Sequence, residues 1–185
     1  MNDPVTVEDP SDFARVPDGY ERLWTPHRMV YIEGQRASDE AGDGCPFCAA
    51  PARDDATGLI VHRGELCYVV MNLFPYNPGH VLICPYRHAP RYVDLTDDET
   101  AEFTLLTKQV VRTLEATSAP MGFNIGMNQG QVAGAGVAAH LHQHVVPRWG
   151  GDSNFLPIIA QTKALPLLIE DVRARLAAAW PGASG

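Results

Sequence analysis

Long apolar runs, basic clusters and an export leader are all missing from this 185-residue chain. Its wholly apolar stretches, such as Val81 to Cys84, are far too short to cross a bilayer, so no membrane span is expected. The first dozen residues hold Asp3, Glu8, Asp9 and Asp12 and no apolar h-region, which points away from secretion and toward the cytoplasm. Lys and Arg gather into no run or stripe, and 14 of them stand against 22 Asp and Glu for a net charge of -8. Nucleic acid is therefore not an expected partner. Apolar content is ample: with 45% hydrophobic and 19% charged residues the chain can build a core, which excludes wholesale disorder. Its length suits one globular domain.

The acids are unevenly placed, and their gaps are informative. Leu66 to Val93 and Ala116 to Gly151 contain no Asp or Glu, while Arg87, Arg91 and Arg148 fall inside them. Two such windows can line one site that tolerates an anion; equally, both can be buried β-regions that shed charge anyway. Cys67 and Cys84 sit in apolar runs and read as buried small hydrophobes. Cys45 and Cys48 form a CxxC turn, Gly44-Cys45-Pro46-Phe47-Cys48, which in a reducing compartment suggests a metal or redox site. Two thiols are half of a zinc site, which needs two more ligands.

Residues 1–20 are acidic and aperiodic and read as an N-terminal arm, with a single domain over 21–185. Residues 36–58 read as a loop carrying the CxxC. Strands are expected at Leu59–Arg63, Leu66–Met71, His80–Tyr86, Gly122–Asn128 and Val137–Val146, the first two joined by a tight hairpin. Thr96-Asp97-Asp98-Glu99 is a capping box, and Phe103, Leu106, Val110 and Leu114 recur at helical spacing until Pro120. A second helix is expected at Leu167–Ala179. Clustered strands with appended helices favour the α+β class over a doubly wound sheet.

The chemical signal is Ala139-His140-Leu141-His142-Gln143-His144-Val145-Val146-Pro147-Arg148-Trp149. On a strand, histidines at alternate positions project from one face, successive ones roughly 6.5–7 Å apart and the outer pair about 13 Å. The outer two cannot reach one ion together, so a three-histidine catalytic zinc is not expected. A middle imidazole flanked by two others suits nucleophilic attack on phosphorus, one neighbour fixing its tautomer and another assisting the departing charge. Upstream, Gly130-Gln131-Val132-Ala133-Gly134-Ala135-Gly136 offers backbone N–H groups that can approach phosphate oxygens closely.

With these motifs, HLHQHVV and the segment Asn72 to His88 (NLFPYNPGHVLICPYRH), the chain resembles the histidine triad (HIT) superfamily of nucleotide hydrolases and transferases. The likeness runs from about Cys45 to Trp149. Its CPFC start, NQG loop and PRWGGDSNF tail look most like the dinucleoside tetraphosphate phosphorylases of that superfamily. It implies an antiparallel sheet of about five strands with one long and one C-terminal helix. It also implies His142 as the nucleophile that takes AMP, His144 at the α-phosphate and leaving group, and His140 as support. Asn72 would bind ribose, with Leu73 and Phe74 enclosing the base. Asn128 would contact the phosphate or position the histidines, and the backbone of Gly134, Ala135 and Gly136 would face phosphate oxygens. In the zinc-bearing branch, Cys45, Cys48, His88 and His140 would complete a structural zinc site; the bland alternative is an empty thiol pair.

One departure is visible: residues 132–139 (VAGAGVAA) lack the Ser or Gln that many members carry there, so Gln129, Gln131 or backbone groups must serve. Arg148 and Trp149 are candidates for a distal phosphate and a second base, against a rim ion pair and a core Trp. His80 reads as structural, and His27 and His62 carry no assignment. The implied reaction is phosphorolysis of diadenosine tetraphosphate to ADP and ATP, with inorganic phosphate as second substrate. Alternatives are hydrolysis, an adenosine phosphoramidase, or a non-catalytic nucleotide-binding protein. A homodimer or larger homo-oligomer is implied by resemblance alone.

Overall fold

The computed structural model describes residues 44–152 and 166–182. The acidic arm at 1–20 lies outside them. Pro46–Ala49 forms a short helix (α1) where a loop was expected, its Pro at the first turn and the Cys45 carbonyl accepting from the Cys48 and Ala49 N–H groups. Strands β1 (Ile60–Arg63), β2 (Cys67–Met71) and β3 (Val81–Pro85) follow. A 22-residue helix, α2 (Asp97–Ser118), leads to β4 (Gly122–Met127), β5 (Gln143–Arg148) and a last helix, α3 (Ile169–Ala178). The five strands form one antiparallel sheet in the order β1-β2-β3-β5-β4.

Helix α2 starts inside its capping box, directly after the N-cap Thr96. Thr96 Oγ1 accepts from the Glu99 N–H, and the Glu99 carboxylate accepts from the Thr96 N–H. Phe103, Leu106, Val110 and Leu114 then form one buried stripe, each contributing about 1.5–3 kcal/mol by burial. That stripe packs on Cys67, Val69, Met71, Val81, Ile83 and Val145, with Val172, Leu176 and Trp180 closing the layer from the α3 side. Among the described residues no helix is long and apolar enough to cross a membrane.

The strands alternate, so a second set of side chains faces away from the helices. Ile60, Tyr68, Val70, Leu82 and Cys84 form that second cluster, and Phe47 and Ala50 from the CxxC turn cover it. Over β4 no described residue gives the same face such cover, and the strand's residues are half-buried or exposed. The hairpin at the other end is fastened by charge. The Glu102 carboxylate accepts the N–H groups of Glu65, Leu66 and Cys67 at 2.6–2.9 Å. A Cβ at Gly64 would run into that carboxylate, which is why the turn needs glycine there.

Candidate active site

The histidine segment departs from the expected strand over Val137–Val146: pairing begins only at Gln143. The cause is local competition for backbone groups. The His140 carbonyl accepts from His142 Nδ1 at 2.9 Å, and the Leu141 N–H goes to the Ala89 carbonyl at 2.7 Å instead of to a neighbouring strand. Of the three, only His144 lies in the sheet. The rings nonetheless stay grouped, with centroids of His142 and His144 5.1 Å apart.

Each ring has a different environment, and the hydrogen bonds assign the tautomers. Donation from His142 Nδ1 to the His140 carbonyl leaves the Nε2 lone pair for attack. Burial pushes the His142 pKa down, so the ring is neutral and nucleophilic at neutral pH. His144 is set by a relay: the Tyr76 N–H donates to His80 Nδ1 (3.0 Å), so His80 carries its proton on Nε2 and donates to His144 Nδ1 (2.9 Å). His144 therefore holds its own proton on Nε2, placed for donation. Asn72 Nδ2 also reaches the His80 ring, 3.2 Å from Nδ1.

His80 is thus more than the structural residue its turn suggested. It is fully buried and joins Asn72 and Tyr76 to His144. Gly79, at φ +82, makes the Pro78-Gly79-His80 turn that delivers it. The sequence signal was that turn directly before β3, whose Leu82 registers with His144.

His140 faces the cysteines. Its Nε2 donates to the Pro85 carbonyl (2.9 Å), leaving Nδ1 3.4 Å from Cys45 Sγ and 3.5 Å from Cys48 Sγ. His88 Nδ1 lies 3.2 Å from Cys48 Sγ, and the four ligand atoms all fall within 4.8 Å of one another. In tetrahedral zinc with ordinary Zn–S and Zn–N bonds, a sulfur and a nitrogen ligand stand about 3.5 Å apart. The donor set and its spacing therefore fit zinc, and the Pro85 carbonyl orients the imidazole as an outer partner does. Burial pushes His140 down to about 4, keeping its lone pair available; burial and the adjoining Cys45 push Cys48 up to about 11.

Cavities flank the row on two sides. One of about 380 Å³ is lined by Phe47, Leu59, Asn72, Leu73, Phe74 and Val137. Phe47 was not singled out from the sequence, yet its ring lies 4.8 Å from that of His142 and 5.6 Å from that of His140. Its place between the two cysteines was the available signal. The other cavity, about 480 Å³, is lined by Tyr76, Asn124, Asn128, His144, Val146 and Arg148 among others. Neither has a carboxylate among its described lining residues, so the acid-free windows are both β-structure and site wall.

The remaining expected residues divide. Asn128 sits beside His144, its Nδ2 3.5 Å from the Gly134 carbonyl. The N–H groups of Gly134 and Ala135 bond within their own loop, to the carbonyls of Gln131 and Gly130, and Gly136 follows them. Gln129 Oε1 accepts from the Tyr92 N–H. Trp149 is not brought to the histidines. Strand alternation turns it to the opposite side from His144 and Arg148, where its indole donates to the Ser118 carbonyl and lines another cavity beside α2 and α3.

The HIT domain family matches residues 53–151, over half of the chain. The chain belongs to the HIT family. It is 46% identical over 167 residues to a protein of Mycobacterium tuberculosis named AP-4-A phosphorylase, a match covering 88% of this chain and 86% of that one. Over 93 residues it is 41% identical to the bifunctional bis(5'-adenosyl)-triphosphatase/adenylylsulfatase FHIT of Arabidopsis thaliana, covering about half of each. Among solved HIT structures, a hypothetical histidine triad nucleotide-binding protein from Sulfolobus tokodaii superposes with a TM-score of 0.59 at 25% identity, covering 73% of this chain and 91% of that one. A Zn-bound histidine triad family protein from Mycobacterium smegmatis shares the HIT fold, with a TM-score of 0.56 at 24% identity, covering the same shares of each chain.

Proposed function

We propose that this HIT protein is a nucleotidyltransferase that cleaves diadenosine tetraphosphate by phosphorolysis, through a covalent AMP on His142. The observation that carries the reading is the lock of His142 Nδ1 on the His140 carbonyl, which leaves a neutral Nε2 lone pair on a buried ring whose neighbours Phe47 and His144 each line a cavity. The M. tuberculosis relative's name and the extent of the match support the substrate.

In the first half, His142 Nε2 bonds to an α-phosphorus as the bridging P–O bond breaks. ATP departs, and the Nε2 proton of His144 offsets charge on its freed oxygen. In the second half, an oxygen of inorganic phosphate attacks the same phosphorus, the P–N bond breaks, and ADP forms. Water in that role gives AMP instead. One adenosine would occupy the cavity walled by Phe47, Leu73 and Phe74, with Asn72 at its ribose.

Cys45, Cys48, His88 and His140 would hold a zinc ion, which supplies a structural cross-link between α1 and the approach to β5. A homodimer or larger homo-oligomer belongs to the same reading: among the described residues β4 is the edge strand of the sheet, with a half-exposed Ile125. The deciding experiment incubates the protein with diadenosine tetraphosphate with and without phosphate. ADP plus ATP that depends on phosphate supports phosphorolysis. AMP plus ATP at equal rates in both overturns it.

A further inference from the structure

On the side of the sheet away from the helices, β4 and β5 leave a trough. Gly122, Asn124 and Gly126 register against Arg148, Val146 and His144, so these six share one face, with Asn128 continuing the β4 row. Among the described residues, no atom lies within 4 Å of where a Cβ would stand at Gly122 or Gly126. The β4 row is thus alternately empty and amide-bearing, and without charge.

His144 stands at one end of this trough and Arg148 four strand positions on, about 13 Å away along the backbone. Arg148 is held in place: Nε and Nη2 donate to the Asp152 carboxylate at 2.5 and 2.8 Å, and Nη1 donates to Asn124 Oδ1 at 2.6 Å. Asp152 is itself anchored by Asn77 Nδ2 (2.7 Å) and the Trp149 N–H (3.2 Å). Those three bonds use three of the five guanidinium N–H donors, and two remain for a ligand in the cavity that Arg148 lines. Because Asp152 neutralises the charge, this end offers directed donors more than net attraction. That suits a phosphate group presented in one place, not a diffuse anion.

We propose that the β4–β5 trough is the subsite for the departing half of a dinucleoside polyphosphate. Its oligophosphate runs from His144 to Arg148, and its nucleoside lies over the glycines of β4 beside the amides of Asn124 and Asn128. This rests on the reading of the substrate given above. A single phosphate at His142 cannot reach Arg148, so the trough selects for a chain of phosphates. Arg148 and Gly126 are then specificity determinants and not groups of the chemical step.

The test reads binding, not turnover. Calorimetry compares AMP with a methylene-bridged, cleavage-resistant analogue of diadenosine tetraphosphate on wild type, Gly126→Phe and Arg148→Gln. Gly126→Phe fills open space; should it fail to fold by circular dichroism, Arg148→Gln carries the test. Wild type is expected to bind the analogue at least about tenfold more tightly than AMP, and both variants to bring that ratio toward one. A ratio of about one in wild type, or one that survives the variants, overturns the subsite. Wild type that binds the analogue tightly but never cleaves diadenosine tetraphosphate contradicts the reaction and leaves the trough standing.

Discussion

One face of the sheet is built in two ways. Over β1 to β3 it is closed: Phe47 and Ala50 seal it from the CxxC turn, and Cys45, Cys48, His88 and His140 gather at its border. Over β5 and β4 it is open, floored by glycine and asparagine. The histidines stand where the halves meet, and the difference shows how one residue type does three jobs. His140 is turned toward thiols by the Pro85 carbonyl, His142 is aimed by the His140 carbonyl, and the tautomer of His144 is set by His80.

The largest effect is expected from breaking the closed half. Cys45→Ser/Cys48→Ser should lower bound zinc from one per chain to none by elemental analysis. It should also lower the melting midpoint by roughly 10 °C or more, as loss of several kcal/mol would in a chain of this size. An unchanged midpoint would show that α1 holds without metal. Second, metal-free protein should weaken in acid. His140 falls from 6.5 to about 4 on folding, so the unfolded chain binds its proton more readily. Stability should then drop as pH falls from 6.5 toward 4, by about 3 kcal/mol from this group, as urea unfolding would record. A flat profile contradicts it.

A third, smaller effect lies at the junction. His80→Ala should reduce kcat about 100-fold with KM nearly constant, and His80→Gln, which keeps an N–H for His144, should recover part of it. An effect confined to KM would show that His80 serves binding alone. The smallest is Glu102→Gln, on α2 and outside the Cys45, Cys48, His88 and His140 cluster. It weakens the three backbone bonds of the hairpin and should cost about 1–2 kcal/mol by denaturant midpoint, with kcat unaltered.

Much of this was readable in the residues, for identifiable reasons. The capping box placed the start of α2 within a residue, because Thr96 and Glu99 satisfy each other locally. Short apolar runs rich in Val, Ile and Cys placed β2 and β3. The metal cluster was readable only through family likeness, since His88 and His140 come from distant parts of the chain. Three features were not legible. The strand expected from Val137 begins only at Gln143 because a side chain, His142, takes a carbonyl that pairing would need. His80 looked like turn chemistry because its partner is 64 residues away. Trp149 was open between a second-base contact and a core position, and only the structure shows its indole donating to the Ser118 carbonyl.

The account depends most on the bond between His142 and phosphorus. Wild type and His142→Ala, each mixed with diadenosine tetraphosphate labelled at the α-phosphorus and quenched without added phosphate, should differ completely. Wild type should carry close to one acid-labile, base-stable label per chain, and His142→Ala none. Label retained by the variant, or never found on wild type, would contradict the covalent route.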